Sequence, residues 1–381
     1  MRLFFRPILR FLSEADVLLL VLCLLSSIYG IILVASSTAA LPPGNYVNVQ
    51  IGAVVIGVAL FVLLTYVDID IIADKSGLLF VVSLFFISTL FIWGYGDEIG
   101  TRVAWLRFWG IGIQPAEVVK VPFIIIISSM LAAYKERKNL NTFVSIIKLG
   151  AVSAMVLGAI LLASDDFGSA LMYFFILLAM LFVGGVRLRW FLIGGAAFAA
   201  ISPLIWYNVL DQKHRNRLMA PFFQELVDPT RQDVLWQPDM SVRAIASGGF
   251  YGQGLGNGTI TQSVSLPSQH TDFIFSAAGE DLGFIGCILI MLLLTAIIIR
   301  CVYVGIKSNN SLGMLVCIGF AAMFISQTIV NIGMCLGILP VIGVTLPFFS
   351  YGGSSIVTFF AAAGIVSGVK MRPKPLRFRT M

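Results

Sequence analysis

The stretch "PSQHTDFIFSAAGEDLGFIG", Pro267 to Gly286, opens polar, turns apolar and still carries three carboxylates, Asp272, Glu280 and Asp281. The apolar run it begins continues to about position 299. That is long enough for the ~20 residues a helix needs to cross the hydrocarbon core of a bilayer. A carboxylate is costly there. An acid at the mouth of a span, with two more about two turns further in, therefore asks for an explanation.

Outward from this stretch, nine more apolar runs of spanning length appear. The ten lie near 16–36, 47–67, 77–95, 115–134, 147–164, 168–186, 190–210, 272–299, 312–335 and 351–369. Of 381 residues, 59% are hydrophobic and only 12% are charged, about half the charge of a soluble domain. Mean hydropathy is +0.97. The fold class expected is an all-α polytopic membrane protein of about ten transmembrane helices. Residues 1–381 form one integral membrane domain with a single long extracytoplasmic loop at about 211–271.

Net charge is +6 and the pI about 9.1. This excess does not point to nucleic acid, because the basic residues sit in short connections. Arg2, Arg6 and Arg10 precede the first run, and Lys135, Arg137, Lys138 and Lys148 follow the fourth. Arg187 and Arg189 follow the sixth, Arg300 and Lys307 the eighth, and Lys370, Arg372, Lys374, Arg377 and Arg379 the tenth. With ten spans all of these lie on one side, which the positive-inside rule makes the cytoplasm. Both termini are then cytoplasmic. The first run lacks an A-x-A-like cleavage site and is expected to remain as a membrane helix. Five cysteines without CxxC spacing and two histidines argue against a disulfide framework, a zinc site or a His-based metal cluster.

The opposite face collects the groups that can do chemistry, from loops near 37–46, 96–114, 211–271 and 336–350. "GTRVAWLRFWGIGIQPAEVVKV" supplies Arg102, Arg107, Trp105 and Trp109, then Glu117 and Lys120. The i,i+3 spacing of the last two puts them on one helix face, as an ion pair serving either packing or function. "SDDFGSA" places Asp165 and Asp166 where an acid can cap the next helix or line a site. The long loop adds Lys213, Arg215, Arg217, Arg231 and Arg243. A solvated face accounts for any one of them, but several guanidinium groups opposite the positive-inside face suit phosphate. Its glycine-rich run "SGGFYGQGLGNGT" allows tight turns and close approach to a ligand. Asp272, beside apolar walls, can serve as a general base or as a helix cap together with Thr271. "GILPVIGVTLPFFSYGGSS" breaks helix at membrane depth, which is tolerated only where backbone is buried or lines a cavity. Of the deeper acids, Glu280 is expected to face inward toward a basic partner.

These motifs, in this order, resemble the SEDS family, the RodA/FtsW/SpoVE proteins of bacterial cell-wall synthesis. "QPAE" with Lys120, "DFGSA", "AIASGG", "LPSQHTDFIF", "GEDLGFIG", "NIGM" and "LPFFSYGGSS" carry the resemblance across nearly the whole chain. It implies a peptidoglycan glycosyltransferase acting on lipid II, a disaccharide-pentapeptide on undecaprenyl pyrophosphate. The family's essential aspartate maps to Asp272. Substrate-binding positions map to Trp105, Glu117, Lys120, Asp166, His270, Ser350, Gly352 and Gly353, and to Gln237, here preceded by Trp236 rather than tyrosine. Ala104 stands where many relatives carry arginine, and Arg102 is the substitute expected from two residues upstream. Arg102, Arg215 and Arg217, or a divalent cation such as magnesium or manganese, would stabilise the leaving pyrophosphate. The resemblance further implies a class B penicillin-binding protein as transpeptidase partner, within a larger cell-wall synthesis complex. "NIGM" and "PV" look more like RodA, whereas "GQGLGNG" and "GVTLP" look more like FtsW or SpoVE. A lipid-linked precursor flippase is the alternative. It would need polar groups along the whole membrane path, whereas here they cluster on one face.

Overall fold

A computed structural model describes residue 11 and residues 13–96, 103–108, 111–208 and 210–372. Among them, ten helices of 18 to 34 residues are long and apolar enough to cross a membrane. They are α1 (Val17–Ser37), α2 (Tyr46–Tyr66), α3 (Ser76–Trp93), α4 (Pro115–Glu136), α5 (Phe143–Ser164), α6 (Phe167–Gly184), α7 (Leu188–Asn208), α10 (Ile274–Lys307), α11 (Ser311–Cys335) and α12 (Gly353–Met371). All ten expected runs are present. Two shorter helices, α8 (Gln212–Met219) and α9 (Trp236–Gly248), lie in the long loop. Alternation of the spans puts the described parts of the connections, 38–45, 94–96, 103–108, 111–114, 165–166, 210–273 and 336–352, on one face. The opposite face carries the beginning of α1 and the end of α12.

The bundle is enclosed unevenly. α4, α11 and α12 bury most of their residues, whereas α7 buries none. On the face with the helix-chain ends, Asp16 caps α1 through the amide of Leu19. Arg300 of α10 reaches both of its carboxylate oxygens, at 3.0 and 2.8 Å, and Lys370 of α12 lies 3.7 Å away. Arg372 pairs with Asp68 and Asp70 in the α2–α3 connection. A buried carboxylate must be paired or hydrogen-bonded, and this cluster ties α1, α10 and α12 together.

The second connection departs from the all-α expectation. Gly94–Gly96 (β1), Val103–Phe108 (β2) and Ile111–Ile113 (β3) form an antiparallel sheet in the order β1-β2-β3. "VAWLRF" alternates as a half-buried strand should: Ala104 and Leu106 are buried, while Val103 and Arg107 are exposed. The short period was hidden between two long apolar runs.

The segment 336–352 runs non-helically; it is exposed at Leu336, Ile338 and Gly343 and becomes largely buried in the bundle from Val344 onward. Val344, Leu346, Phe348, Phe349 and Ser350 are all inaccessible or nearly so. α1 and α6 approach its backbone through glycine: a Cβ on Gly30 would lie 2.7 Å from the Phe348 carbonyl, and one on Gly168 2.3 Å from that of Ile342.

The deep acids of α10 are explained by the loop that wraps it. The helix is interrupted at Gly283, whose φ is 66°. At that break, Gln253 and Gly254 donate their amides to the carbonyls of Glu280 and Asp281, and Phe284 donates to Gly249. The Glu280 carboxylate accepts from the amides of Ile260 (2.8 Å) and Thr261 (2.9 Å) and from the hydroxyl of Thr259 (3.2 Å). Asp281 accepts from the Ser36 hydroxyl at 2.5 Å, and Ser36 in turn accepts from the amide of Gly256. Glu280 therefore has backbone amides as partners, not the basic side chain expected of it. Charge-assisted bonds to amides satisfy a buried carboxylate as well as a cation does. The glycine-rich run is also reassigned: its close approach is to α10 itself.

Two glycines of that run separate strain from space. Gly252 has φ of 82°, and its Cβ would lie 2.3 Å from the Asp281 carbonyl; Gly256 has φ of 73° with open space around it. Alanine at either position meets backbone strain of about 1–2 kcal/mol, but only Gly252→Ala also clashes. Gly252→Ala should lower Tm in detergent clearly more than Gly256→Ala. Equal losses would show that the loop does not grip α10 at this point.

Candidate active site

Asp272 sits where the long loop enters α10. Three successive carbonyls of its segment are each held by a different group. His270 O accepts from the Tyr351 amide (2.8 Å), Thr271 O from the Ser350 hydroxyl (2.6 Å) and Asp272 O from the Asn331 side-chain amide (2.7 Å). The Cys335 thiol also approaches Asp272 O, at 3.6 Å. Asn331 donates a second bond to Val344 O. The Ser350 hydroxyl accepts from the Leu346 amide. Gln50 of α2 bonds both Ser350 O and the Gly352 amide. Ser350 and Gly352 thus form a frame that sets the backbone of Asp272. Gly353 opens α12, and its Cβ position is open. The residue capping α10 is Phe273, with no side-chain cap bond of its own. Asp272 is half-buried.

The His270 ring packs edge-on against Tyr46 and is tilted against Tyr351, with centroids 5.2 and 5.5 Å away. Burial pushes its imidazole below the ordinary histidine range, so it is neutral near pH 7. Its Nδ1 is buried without a hydrogen-bond partner.

A second chain of contacts joins the remaining motifs. Gln114 donates its side-chain amide to Asp166 (2.9 Å), while its backbone amide donates to the Ser354 hydroxyl at the start of α12. Asp166 also caps α6 through the amide and hydroxyl of Ser169. For Asp166 the two readings coincide: it caps its helix and ties "DFGSA" to "QPAE". Glu117 and Lys120 form a buried pair at 2.5 Å, with Lys120 fully enclosed. Glu117 Oε2 has no partner. Trp105, half-buried on β2, stands opposite Tyr95, whose ring the Arg107 guanidinium covers at 4.3 Å.

The large-loop cations divide. Arg215 bonds the carbonyls of Leu210 (2.9 Å) and Tyr207 (3.1 Å) at the end of α7. Arg217 and Gln237 instead line a cavity of about 590 Å³ with Lys213, Arg243 and Trp236. Arg102 lies outside the described residues. No group of three or more His, Cys, Asp or Glu is placed to hold a metal among the described residues. A divalent cation would need oxygens of a phosphate-bearing substrate beside a single carboxylate, as magnesium commonly does.

Gln50 and Asn331 were missed as contributors. Their signal was an amide inside an apolar run, where an unsatisfied polar group is expensive. What they bond could not be read from spacing.

The Glu117–Lys120 pair permits a direct test. Removing one partner strands a buried charge, at a cost of about 3–5 kcal/mol, whereas replacing both need not. Glu117→Gln with Lys120→Met should be better folded in detergent, by Tm and monodisperse yield, than either single variant. Three variants of equal, wild-type stability would show that the pair contributes nothing to the fold.

The chain is similar to proteins of known family. The model of the cell cycle protein family of FtsW, RodA and SpoVE matches residues 16–374. A probable peptidoglycan glycosyltransferase FtsW of Trichlorobacter lovleyi is 30% identical over 95% of this chain and 96% of its own. That of Bacillus subtilis is 32% identical over 84% of this chain and 80% of its own. A solved peptidoglycan synthase complex that coordinates polymerization and crosslinking contains a chain 26% identical, with a TM-score of 0.77 over 93% of this chain and 97% of that one. Thermus thermophilus RodA, 24% identical, shares the fold with a TM-score of 0.68 over 93% of this chain and 96% of its own. With the site motifs assembled on one face of ten spans, the chain belongs to the FtsW/RodA/SpoVE family.

Proposed function

We propose that this protein is a peptidoglycan glycosyltransferase. It polymerises lipid II at the outer face of the bacterial cytoplasmic membrane, for division or cell shape, with Asp272 as general base. The observation that supports this reading is the backbone of His270–Asp272, held at three consecutive carbonyls, which sets a half-buried aspartate at the mouth of α10. Its curated relatives are named for the same activity.

In this reading the acceptor's sugar 4-hydroxyl attacks the anomeric carbon of the donor's muramic acid. Asp272 takes the hydroxyl proton as the new bond forms, a contribution of about 10²–10⁴-fold. The bond to pyrophosphate breaks and the leaving group departs as an anion, met by cations of the long loop such as Arg217. An α-linked donor giving a β-linked product is an inversion and needs one base. The second carboxylate of an inverting hydrolase is unnecessary because pyrophosphate leaves unprotonated. No step is assigned to a divalent cation. A class B penicillin-binding protein would supply crosslinking, in keeping with the synthase complex whose chain this one resembles. The flippase reading meets an obstacle in the Asp16–Arg300–Lys370 cluster, which a transport path would have to part.

The lysine and arginine bias orients the protein with both termini cytoplasmic. Because the five native cysteines are buried, an introduced one reports cleanly. Ser263→Cys, exposed in the long loop, should react with an impermeant maleimide on intact cells, and Asn309→Cys only after permeabilisation. The reverse pattern would invert the orientation and remove the site from the outer face.

Asp272→Asn keeps shape and removes the base. Because Asn331, Ser350 and Tyr351 bond the backbone carbonyls and not this side chain, the variant should keep its Tm and its lipid II binding while losing glycan polymerisation. Asp272→Glu should retain a trace, since about 1 Å of misplacement can cost around a hundredfold. Near-normal glycan synthesis by purified Asp272→Asn would end the general-base assignment.

A further inference from the structure

On the face opposite the candidate active site, a cavity of about 90 Å³ lies between the ends of α10 and α12. Lys307, Lys370 and Arg372 line it together with Tyr303, Ser308 and Asn309, and no carboxylate does. The three cations are not equally committed. Arg372 is paired with Asp68 and Asp70. Lys370 donates to the Ala15 carbonyl at 3.2 Å and stands 3.7 Å from Asp16, both of whose oxygens Arg300 already holds. Lys307 is exposed and pairs with no carboxylate among the described residues; its ammonium lies 6.0 Å from the centre of the Tyr303 ring. Four cations, Arg300 included, thus meet three carboxylates, Asp16, Asp68 and Asp70, and one positive charge remains. A lysine in the last turn of a helix complements its dipole, and Lys307 and Lys370 occupy those turns of α10 and α12. That accounts for each lysine at its own helix end but not for their meeting, with Arg372, around one cavity. Apolar surface adjoins it. Leu292, Ile299 and Ile306 are exposed and seven residues apart, so they form one stripe along α10. Tyr303 lies beside that stripe where it reaches the cavity.

We propose that this cavity binds the headgroup of an anionic phospholipid of the phosphatidylglycerol type. The phosphodiester carries one negative charge and takes up the one positive charge that remains. Lys307 donates to its oxygens, and Lys370 and Arg372 add their field from α12. The acyl chains run along Leu292, Ile299 and Ile306. The Tyr303 ring sits at the boundary between chain and headgroup, as aromatic residues do at membrane interfaces. Basic pockets between spanning helices are a recurrent form of headgroup site. A lipid held here bridges α10 and α12 at the face where Asp16 already joins them to α1. Free phosphate shares the charge but not the chains. The site is independent of the glycosyltransferase reading, since none of its residues belongs to the candidate active site.

The test is binding to the delipidated full-length protein in detergent, read by native mass spectrometry and by Tm. Phosphatidylglycerol, phosphatidylcholine with the same chains and inorganic phosphate are the separate probes. Phosphatidylglycerol should bind and raise Tm, and the other two should do so much less at equal concentration. Lys307→Gln alters an exposed side chain outside the ion pairs, so it should keep the lipid-free Tm. It should weaken phosphatidylglycerol about fivefold, the worth of one cation beside an anionic lipid, whereas Lys307→Arg should bind as the wild type does. Lys75→Gln removes an exposed cation of the same face that does not line the cavity and should change nothing. Equal weakening by Lys75→Gln would reveal diffuse attraction to the surface and overturn the site, as would wild-type binding by Lys307→Gln. Equal binding of phosphatidylcholine would remove the role of charge. Protection by inorganic phosphate equal to that by phosphatidylglycerol would make the ligand a free anion and end the lipid assignment.

Discussion

Two stretches of non-helical backbone lie against each other at the mouth of the bundle, and each satisfies the other. In hydrocarbon an unpaired carbonyl costs several kcal/mol, so neither 268–273 nor 336–352 could exist alone at that depth. Together they close, with Tyr351, Ser350 and Asn331 donating to His270, Thr271 and Asp272. Gln50 braces Ser350 and Gly352 from α2. Helices α10, α11 and α12 begin or end at this knot, so their relative heights depend on it. The backbone of Asp272 inherits its position from that constraint.

The chain handles acids in the membrane in three physically different ways. Asp16 is neutralised by Arg300 and Lys370 at the end of the bundle. Glu117 is paired with Lys120 within one helix. Glu280 is held by the amides of a loop that wraps a break in α10, a solution that needs no cation. Each acid also joins elements distant in sequence or stiffens a helix end. At Asp272 the backbone is held too, through the bond from Asn331 to its carbonyl.

The two faces consequently differ in purpose. One is clamped by ion pairs among α1, α10, α12 and the α2–α3 connection. The other gathers the sheet of β1–β3, the knot, the glycine-rich wrap and the cationic cavity. Reaction chemistry on one leaflet and closure on the other is what a polymerase of lipid-linked sugars requires, and a two-sided carrier would require the opposite.

Apolar run length determined the ten spans, and the bias of lysine and arginine gave their expected direction, since the bilayer reads both locally and without reference to partners. The i,i+3 spacing of Glu117 and Lys120 likewise announced their pairing. Only the tertiary structure decided what Glu280 bonds, that Arg215 serves the end of α7, that 94–96, 103–108 and 111–113 form a sheet, and that Asn331 and Gln50 hold the backbone around Asp272. Each of those contacts joins residues far apart in the chain or depends on the direction of a side chain. Local periodicity carries no information about either, because the desolvation that makes such bonds worth forming exists only once the helices have packed.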